Sequence, residues 1–266
     1  GKVDPHTLQL DLSVTFAYPK LGHLRFPAAS LCGELIVADI GTDPKLASEV
    51  APQVADAAMI GALLPARPLD AHKGTFGKVM IVAGSVYYSG AAVLAAQAAY
   101  RAGSGLVTLA LPKAIYQSVA ARMSETTYLI LPDDMGVITP DAVRLVADKA
   151  PSYQAMLLGP GLSPEKEAVE FVHRLFGVEL PSRKRIGFQA NAERESDPPD
   201  RSSLPPLVVD ADGLNALAQV EQWWLHLPPQ TILTPHPGEM ARLMKLDPAP
   251  AGKSVLNTDR AGVAKR

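Results

Sequence analysis

The hydrophobic rhythm of the chain changes near residue 72. Before it, Leu10-Asp11-Leu12-Ser13-Val14-Thr15-Phe16 alternates apolar with polar side chains, the period of a strand with one buried face. Glu34-Leu35-Ile36-Val37-Ala38-Asp39 predicts a second strand beyond a loop around Pro19-Lys20-Leu21-Gly22-His23. Two strands make no stable domain alone, so this pair is expected either to join the main sheet or to be the tail of another domain. Beyond residue 72, short apolar runs alternate with helical patterns. Strands are predicted at 78–83, 106–111, 128–131, 155–158, 207–209 and 231–233. Helices are predicted at 91–102, near 114–123, at 140–149, at 164–176, near 213 and after 236. Such alternation builds βαβ units, so the expected fold is α/β, a mostly parallel sheet with helices on both faces. The chain divides into residues 1–45, a linker at 46–71 and a main domain at 72–266.

Two stretches break the pattern. Residues 177–206 have no hydrophobic period and carry Arg183-Lys184-Arg185 and Ser196-Asp197-Pro198-Pro199-Asp200, which predicts a surface insertion. Its basic triplet either touches a phosphate or belongs to a solvated loop. Near the end, Asn257 and Thr258 offer a cap for a helix starting at Asp259, only about two turns before Arg266. Helices that short gain little stability alone, so the main domain is expected to be cut at its C-terminus.

Composition narrows the function classes. The chain is 47% hydrophobic but only 6% aromatic, which predicts an aliphatic core like that of parallel strands covered on both faces. With 25 basic and 27 acidic residues the net charge is -2, so neither nucleic acid nor an anionic membrane is an expected partner. Cys32 is the only cysteine, which excludes an intramolecular disulfide and a thiolate cluster and fits a reducing compartment. The six histidines show no HExxH spacing, so no metal site made by the protein alone is expected. No apolar run reaches the roughly 18 residues of a membrane span and no signal core opens the chain, so the expected location is the cytoplasm. A homo-oligomer is expected.

Four loops follow predicted strands, and open parallel sheets bind ligands at that edge. They are 84–92, Gly159-Pro160-Gly161, Asp210-Ala211-Asp212-Gly213-Leu214-Asn215 and Pro235-His236-Pro237-Gly238-Glu239. The last is the most informative. Two prolines restrict the backbone around His236, Gly238 permits close approach, and Glu239 carries a carboxylate in the first helical turn. Such a junction suits a polar or phosphorylated ligand, and it equally suits a rigid turn with a surface histidine. The glycines at 84, 90, 159 and 161 serve a ligand or merely a tight turn, and the GxxxxGK[ST] phosphate loop is absent. Asp210 and Asp212 are candidates for a hydroxyl or a metal-nucleotide, with helix capping as the plain alternative for one of them, and Asp210 and Asn215 are the candidate substrate or nucleotide contacts of this loop.

Taken together the motifs resemble a known family. Lys73-Gly74-Thr75-Phe76-Gly77-Lys78-Val79, Tyr88-Ser89-Gly90-Ala91-Ala92-Val93-Leu94-Ala95-Ala96 and Arg101-Ala102-Gly103-Ser104-Gly105-Leu106-Val107 resemble the opening of the NAD(P)H-hydrate dehydratases. Gly159-Pro160-Gly161-Leu162, Val209-Asp210-Ala211-Asp212-Gly213-Leu214-Asn215 and Thr234-Pro235-His236-Pro237-Gly238-Glu239-Met240-Ala241-Arg242-Leu243 continue the likeness in order. Residues 1–45 are similar to the final strands of an NAD(P)H-hydrate epimerase domain, which in bacteria often precedes the dehydratase in one bifunctional chain. That epimerase's Asp-x-Pro-Ser-Gly motif and its potassium contacts belong upstream of Gly1, so no epimerase activity is expected here.

The resemblance implies a ribokinase-like fold and the repair of hydrated NADH or NADPH, with ADP or ATP and Mg2+ as phosphoryl donor. It implies that Ala91, Gly161 and the stretch His236, Pro237, Gly238, Glu239, Met240, Ala241 and Arg242 contact the hydrate. His236 is read as a hydrogen-bond partner of the substrate, short of a general base. The family's Lys-Gly nucleotide segment and its Gly-x-Gly-Asp turn, whose aspartate acts at the substrate, belong downstream. Asp247, Asp259 and Gly262 do not form that turn. These 266 residues are therefore expected to keep much of the hydrate-binding wall and to turn over little or nothing alone. The alternatives are a ribokinase-like small-molecule kinase and a non-catalytic nucleotide-binding module.

Overall fold

The computed structural model describes residues 3–48, 53–178 and 201–246. The basic triplet of the expected insertion and the helix expected from Asp259 lie outside the described residues. Contacts divide the chain into two units, with the break between Leu69 and Asp70.

The first unit holds strand β1 (Leu12–Phe16), helix α1 (Leu21–Leu24), strand β2 (Glu34–Ala38) and helix α2 (Ala57–Leu63). The strands pair in parallel, from Leu12 opposite Glu34 to Phe16 opposite Ala38, and make a two-stranded sheet of their own. Helix α2 lies inside the stretch read as a linker. Asp56 starts it by accepting the Met59 N–H at 2.7 Å, one of the donors a helix leaves unpaired at its first turn.

The second unit runs β3 (Lys78–Val82), α3 (Ser89–Arg101), β4 (Leu106–Pro112), α4 (Tyr116–Ala120), β5 (Thr127–Leu131), β6 (Asp133–Asp134) and β7 (Val137–Ile138). It continues α5 (Ala142–Lys149), β8 (Ala155–Leu158), α6 (Lys166–Leu175), β9 (Leu207–Val209), α7 (Asp212–Leu217), β10 (Thr231–Leu233) and α8 (Pro237–Leu243). Six strands form one wholly parallel sheet in the order β10-β9-β8-β3-β4-β5. The chain starts in the middle, winds outward through β4 and β5, then crosses back to lay β8, β9 and β10 on the other side. The order reverses between β3 and β8, which puts a crevice at their carboxyl ends.

Side-chain alternation along the strands makes two cores. On β3, Met80 and Val82 enter one cluster and Ile81 the other, joined by Ala83 just past the strand. The first cluster joins β8 (Met156, Leu158) and β9 (Leu207, Val209) to α5, α6 and α7 through Val146, Phe171 and Leu214. The second joins Val107, Leu109 and Leu111 of β4 to Ala92, Val93 and Ala96 of α3. Alanines on α3 let the helix lie close against the sheet. It ends where Gly103 N–H bonds the Tyr100 carbonyl at 2.9 Å and Ser104 N–H bonds the Ala99 carbonyl at 3.1 Å, a paired C-terminal cap.

Two details differ from the expectations. The helix expected near 114–123 is a 3-10 turn at Lys113–Ile115 followed by only five α-helical residues. The hairpin β6–β7 has no counterpart among the predicted elements, because strands of two residues carry no readable period. Its turn places Met135 and Gly136 at φ 49° and 82°, the left-handed pair that a tight hairpin requires. Among the described residues no helix is long and apolar enough to cross a membrane.

Candidate functional site

All six parallel strands end on one edge, so the loops after β3, β8, β9 and β10 share a rim. Contacts knit them together. At the switch point the Gly84 N–H donates to the Pro160 carbonyl at 2.9 Å, tying the loop after β3 to the loop after β8. Gly161, at φ +68°, lies against Tyr88 and Ala91. A β-carbon there would stand 2.7 Å from the Ala91 Cβ and 2.8 Å from the Tyr88 Cβ. The two glycines of Gly159-Pro160-Gly161 therefore answer to packing whether or not a ligand is present.

Next along the rim, the Ser163 N–H donates to Asp212 Oδ2 at 2.9 Å, and Asn215 Nδ2 reaches Asp212 Oδ1 at 3.3 Å. Arg242 Nε on α8 donates to Asn215 Oδ1 at 2.8 Å. Asp212 thus clamps the loop after β8 to helix α7, and Asn215 carries the connection on to α8. Thr234 Oγ1 donates to Asp210 Oδ1 at 2.8 Å, which joins the loops after β9 and β10. Neither aspartate caps α7, whose N-terminal flanking residue is Ala211 at φ 50°. Ser163, at φ 84°, and Ala211 are non-glycine residues held in the left-handed region. Such strain persists only where neighbours hold it, and it gathers in loops that carry function.

At the end of β10, His236 and Glu239 hold each other. Glu239 Oε2 accepts the His236 backbone N–H at 2.8 Å, and His236 Nδ1 accepts the Gly238 N–H at 3.0 Å, so the pair forms a reciprocal cap for α8. Since Nδ1 is an acceptor, the ring proton sits on Nε2, which lies 3.1 Å from Glu239 Oε1. The Glu239 side chain is only 7% exposed and the His236 side chain 61%, so a buried carboxylate aims an imidazole that faces solvent. Pro237 occupies the first helical position, where its missing N–H costs nothing. Met240 packs on the core. The Arg242 guanidinium lies beside Gly238, where an added β-carbon would stand 3.8 Å from Nη1.

The structure thus brings the expected site residues onto one strand-end edge: Ala91 and Gly161 in contact at the crevice, then Asp210 and Asn215, then His236 to Arg242. Across the sheet, Gly161 and His236 follow strands two steps apart, roughly 10 Å at the spacing of neighbouring strands. Thr234, which the sequence marks only as the start of a motif, and Ser163 are not among the expected contact residues. Each makes a hydrogen bond across loops, Thr234 through its hydroxyl and Ser163 through its backbone N–H, and neither bond has a local signal in the sequence.

Residues 79–266 match the family model of the NAD(P)H-hydrate dehydratases. The chain belongs to that family. It is 38% identical over 240 residues to the bifunctional NAD(P)H-hydrate repair enzyme of Moorella thermoacetica, covering 89% of this chain and 41% of the relative. It is 33% identical over 274 residues to the enzyme of the same name from Salinibacter ruber, covering 100% of this chain and 45% of that relative. The chain therefore spans less than half the length of these relatives. Among solved structures it is similar to the ADP/ATP-dependent NAD(P)H-hydrate dehydratase of Bacillus subtilis, co-crystallised with ATP and Mg2+. That likeness has 27% identity and a TM-score of 0.53, and covers 78% of this chain and 60% of the other. A ribokinase-like protein of Enterococcus faecalis, at 20% identity and a TM-score of 0.50 over 73% of this chain and 57% of its own, shares the fold. The dehydratase-family model starts at the second residue of β3, so every loop of the rim falls within it.

Proposed function

We propose that the protein carrying this chain restores NADH or NADPH from its hydrate, with ADP or ATP as phosphoryl donor. The observation that carries this reading is the rim itself: a dehydratase-family chain whose glycine, aspartate and histidine loops are hydrogen-bonded into one wall beside the switch-point crevice.

The chemistry asks for alignment and for charge screening. Hydroxide is a poor leaving group on the saturated ring carbon of the hydrate. Transfer of a phosphoryl group from the nucleotide to that hydroxyl makes the leaving group a phosphate. The ring nitrogen's lone pair then expels it as the C–O bond breaks, and loss of a proton from the adjacent carbon restores the dihydropyridine. Both reactants are anionic, so positioning and cationic donors count for most. In this reading Ala91 and Gly161 form the flat wall against the hydrated ring. Arg242, pinned by Asn215, offers its remaining guanidinium donors to the dinucleotide's phosphates. His236 shares its Nε2 proton between Glu239 and a substrate oxygen, and Glu239 is a positioning residue that holds the ring. In this reading a magnesium ion enters on the nucleotide's phosphates.

The unit before Asp70 is read as derived from an epimerase domain, supported by its separate parallel strand pair and by relatives named as bifunctional. A cytoplasmic location accords with the single cysteine and with a soluble cofactor as substrate. The homo-oligomer expected from sequence belongs to this reading too.

Recovery of dihydropyridine absorbance from hydrate, dependent on added ADP or ATP with Mg2+, tests the function on the whole protein. The expected result is one NAD(P)H formed per phosphate released. A stable phosphorylated product without elimination would instead point to a small-molecule kinase.

A further inference from the structure

The rim does not end at the crevice. Beyond β3 it continues over the carboxyl ends of β4 and β5, where Lys113, Ala114, Tyr116, Gln117 and Asp133 line an open cavity of about 380 Å³. A chain of contacts connects it to the hydrate wall. Ala91 and Tyr88 touch Gly161, the same loop carries Val86, and Val86 N–H donates to the Gly136 carbonyl at 2.9 Å. Asp133 then accepts from Gly136 N–H at 3.0 Å and from Ala114 N–H at 3.2 Å, so it fixes the hairpin and one wall of the cavity together.

The lining is a mixed set. Lys113 joins none of the ion pairs of the described residues. Each Asp133 oxygen holds one backbone donor and keeps a second lone pair for a hydroxyl. Tyr116 is 37% exposed, and its ring meets Tyr128 edge-on at 5.1 Å. Burial, with Tyr116 beside it, pushes the Tyr128 phenol up from its ordinary value, and its hydroxyl donates to the Met123 carbonyl at 2.6 Å. A bare anion gains from Lys113 but is repelled by Asp133. A nucleoside phosphate uses all three, with phosphate on the cation, ribose hydroxyls on the carboxylate and the base over the ring.

Position selects which nucleoside phosphate. From β8, whose loop holds Gly161, to β5, whose end holds Asp133, is three strand steps, roughly 14 Å. A dinucleotide anchored by its nicotinamide ring at Gly161 places its other nucleoside at about that reach. The geometry points to this cavity as the seat of the adenosine end of the hydrated dinucleotide, with Lys113 on its phosphate, Asp133 on its ribose and Tyr116 beneath its adenine. The inference rests on the hydrate-binding reading above and deepens it: affinity for the dinucleotide comes from two ends of one rim.

The test is calorimetric binding to the full protein and its Lys113→Ala and Lys113→Arg variants. The probes are NADH hydrate, whose adenosine ribose keeps both hydroxyls for Asp133, the hydrate of reduced nicotinamide mononucleotide, which lacks adenosine, and ADP, which shares the adenosine chemistry. Lys113 is exposed, so its loss leaves the fold intact. Lys113→Ala is expected to weaken NADH hydrate about 10-fold and leave the mononucleotide hydrate and ADP unchanged, with Lys113→Arg recovering most of the loss. Unchanged NADH-hydrate affinity would overturn the subsite while leaving hydrate binding in place. Loss of ADP binding alone would assign the cavity to the phosphoryl donor and overturn it too. A wild-type protein that binds neither hydrate would overturn the reading of the rim itself.

Discussion

Replacing Gly159 with alanine is expected to lower stability by about 3 to 5 kcal/mol, the combined cost of a left-handed backbone and a forced collision. Gly159 sits at φ +125°, a conformation open in practice to glycine alone, and a β-carbon there would run into the Asp210 carbonyl and come within 2.8 Å of the Gly213 nitrogen. Those partners cannot retreat. Asp210 N–H bonds the Leu158 carbonyl at 3.0 Å and Gly213 N–H bonds the Asp210 carbonyl at 3.0 Å, so relief for the new methyl group would break the start of α7. Thermal unfolding reads the effect as a fall of roughly 10 °C in the melting temperature of the second unit. An unchanged melting temperature would mean that the loops after β8 and β9 do not approach as closely as described.

The second large effect separates the two jobs of His236. As the residue before α8 it caps the helix, and in the proposed function it also donates from Nε2 to the substrate. Asparagine keeps the capping ability and loses the imidazole, whereas alanine loses both. His236→Asn is expected to melt near the wild-type temperature yet bind hydrate about 10- to 100-fold more weakly, as befits one well-placed hydrogen bond in a ligand site. His236→Ala is expected to match that loss and to give up about 1 kcal/mol of stability besides. Full hydrate affinity in His236→Asn would reduce His236 to a helix cap, the plain alternative that the sequence also allows.

How far the sequence is legible depends on length of pattern. Strands β8, β9 and β10 and the alanine-rich α3 are readable because each is a clean apolar run or a helical stretch closed by a turn residue. The hairpin β6–β7 is not, since two-residue strands have no period and only Gly136 marks the turn. Helix α2 hides in a stretch that lacks a polar face, although Asp56 three residues before Met59 is a capping signal. In the site, the glycines and His236 stand out by motif, and their convergence follows from a parallel sheet whose strands all end on one edge. The bonds that lock them do not stand out. Asp212 to Ser163 spans 49 residues and Arg242 to Asn215 spans 27, and nothing local in the chain announces either pairing. The same holds for Glu239. Its motif marks only a first-turn carboxylate, whereas the fold buries it under the imidazole it orients.

In the proposed function, loops far apart in sequence make one binding surface. Titrating the 266-residue chain with NADPH hydrate while following backbone amide signals by NMR tests that directly. The expected result is that the amides of Ala91, Gly161, Asn215 and Gly238 shift together along one curve with a single Kd. Shifts confined to one loop, or separate curves with different Kd values for Gly161 and Gly238, would contradict it.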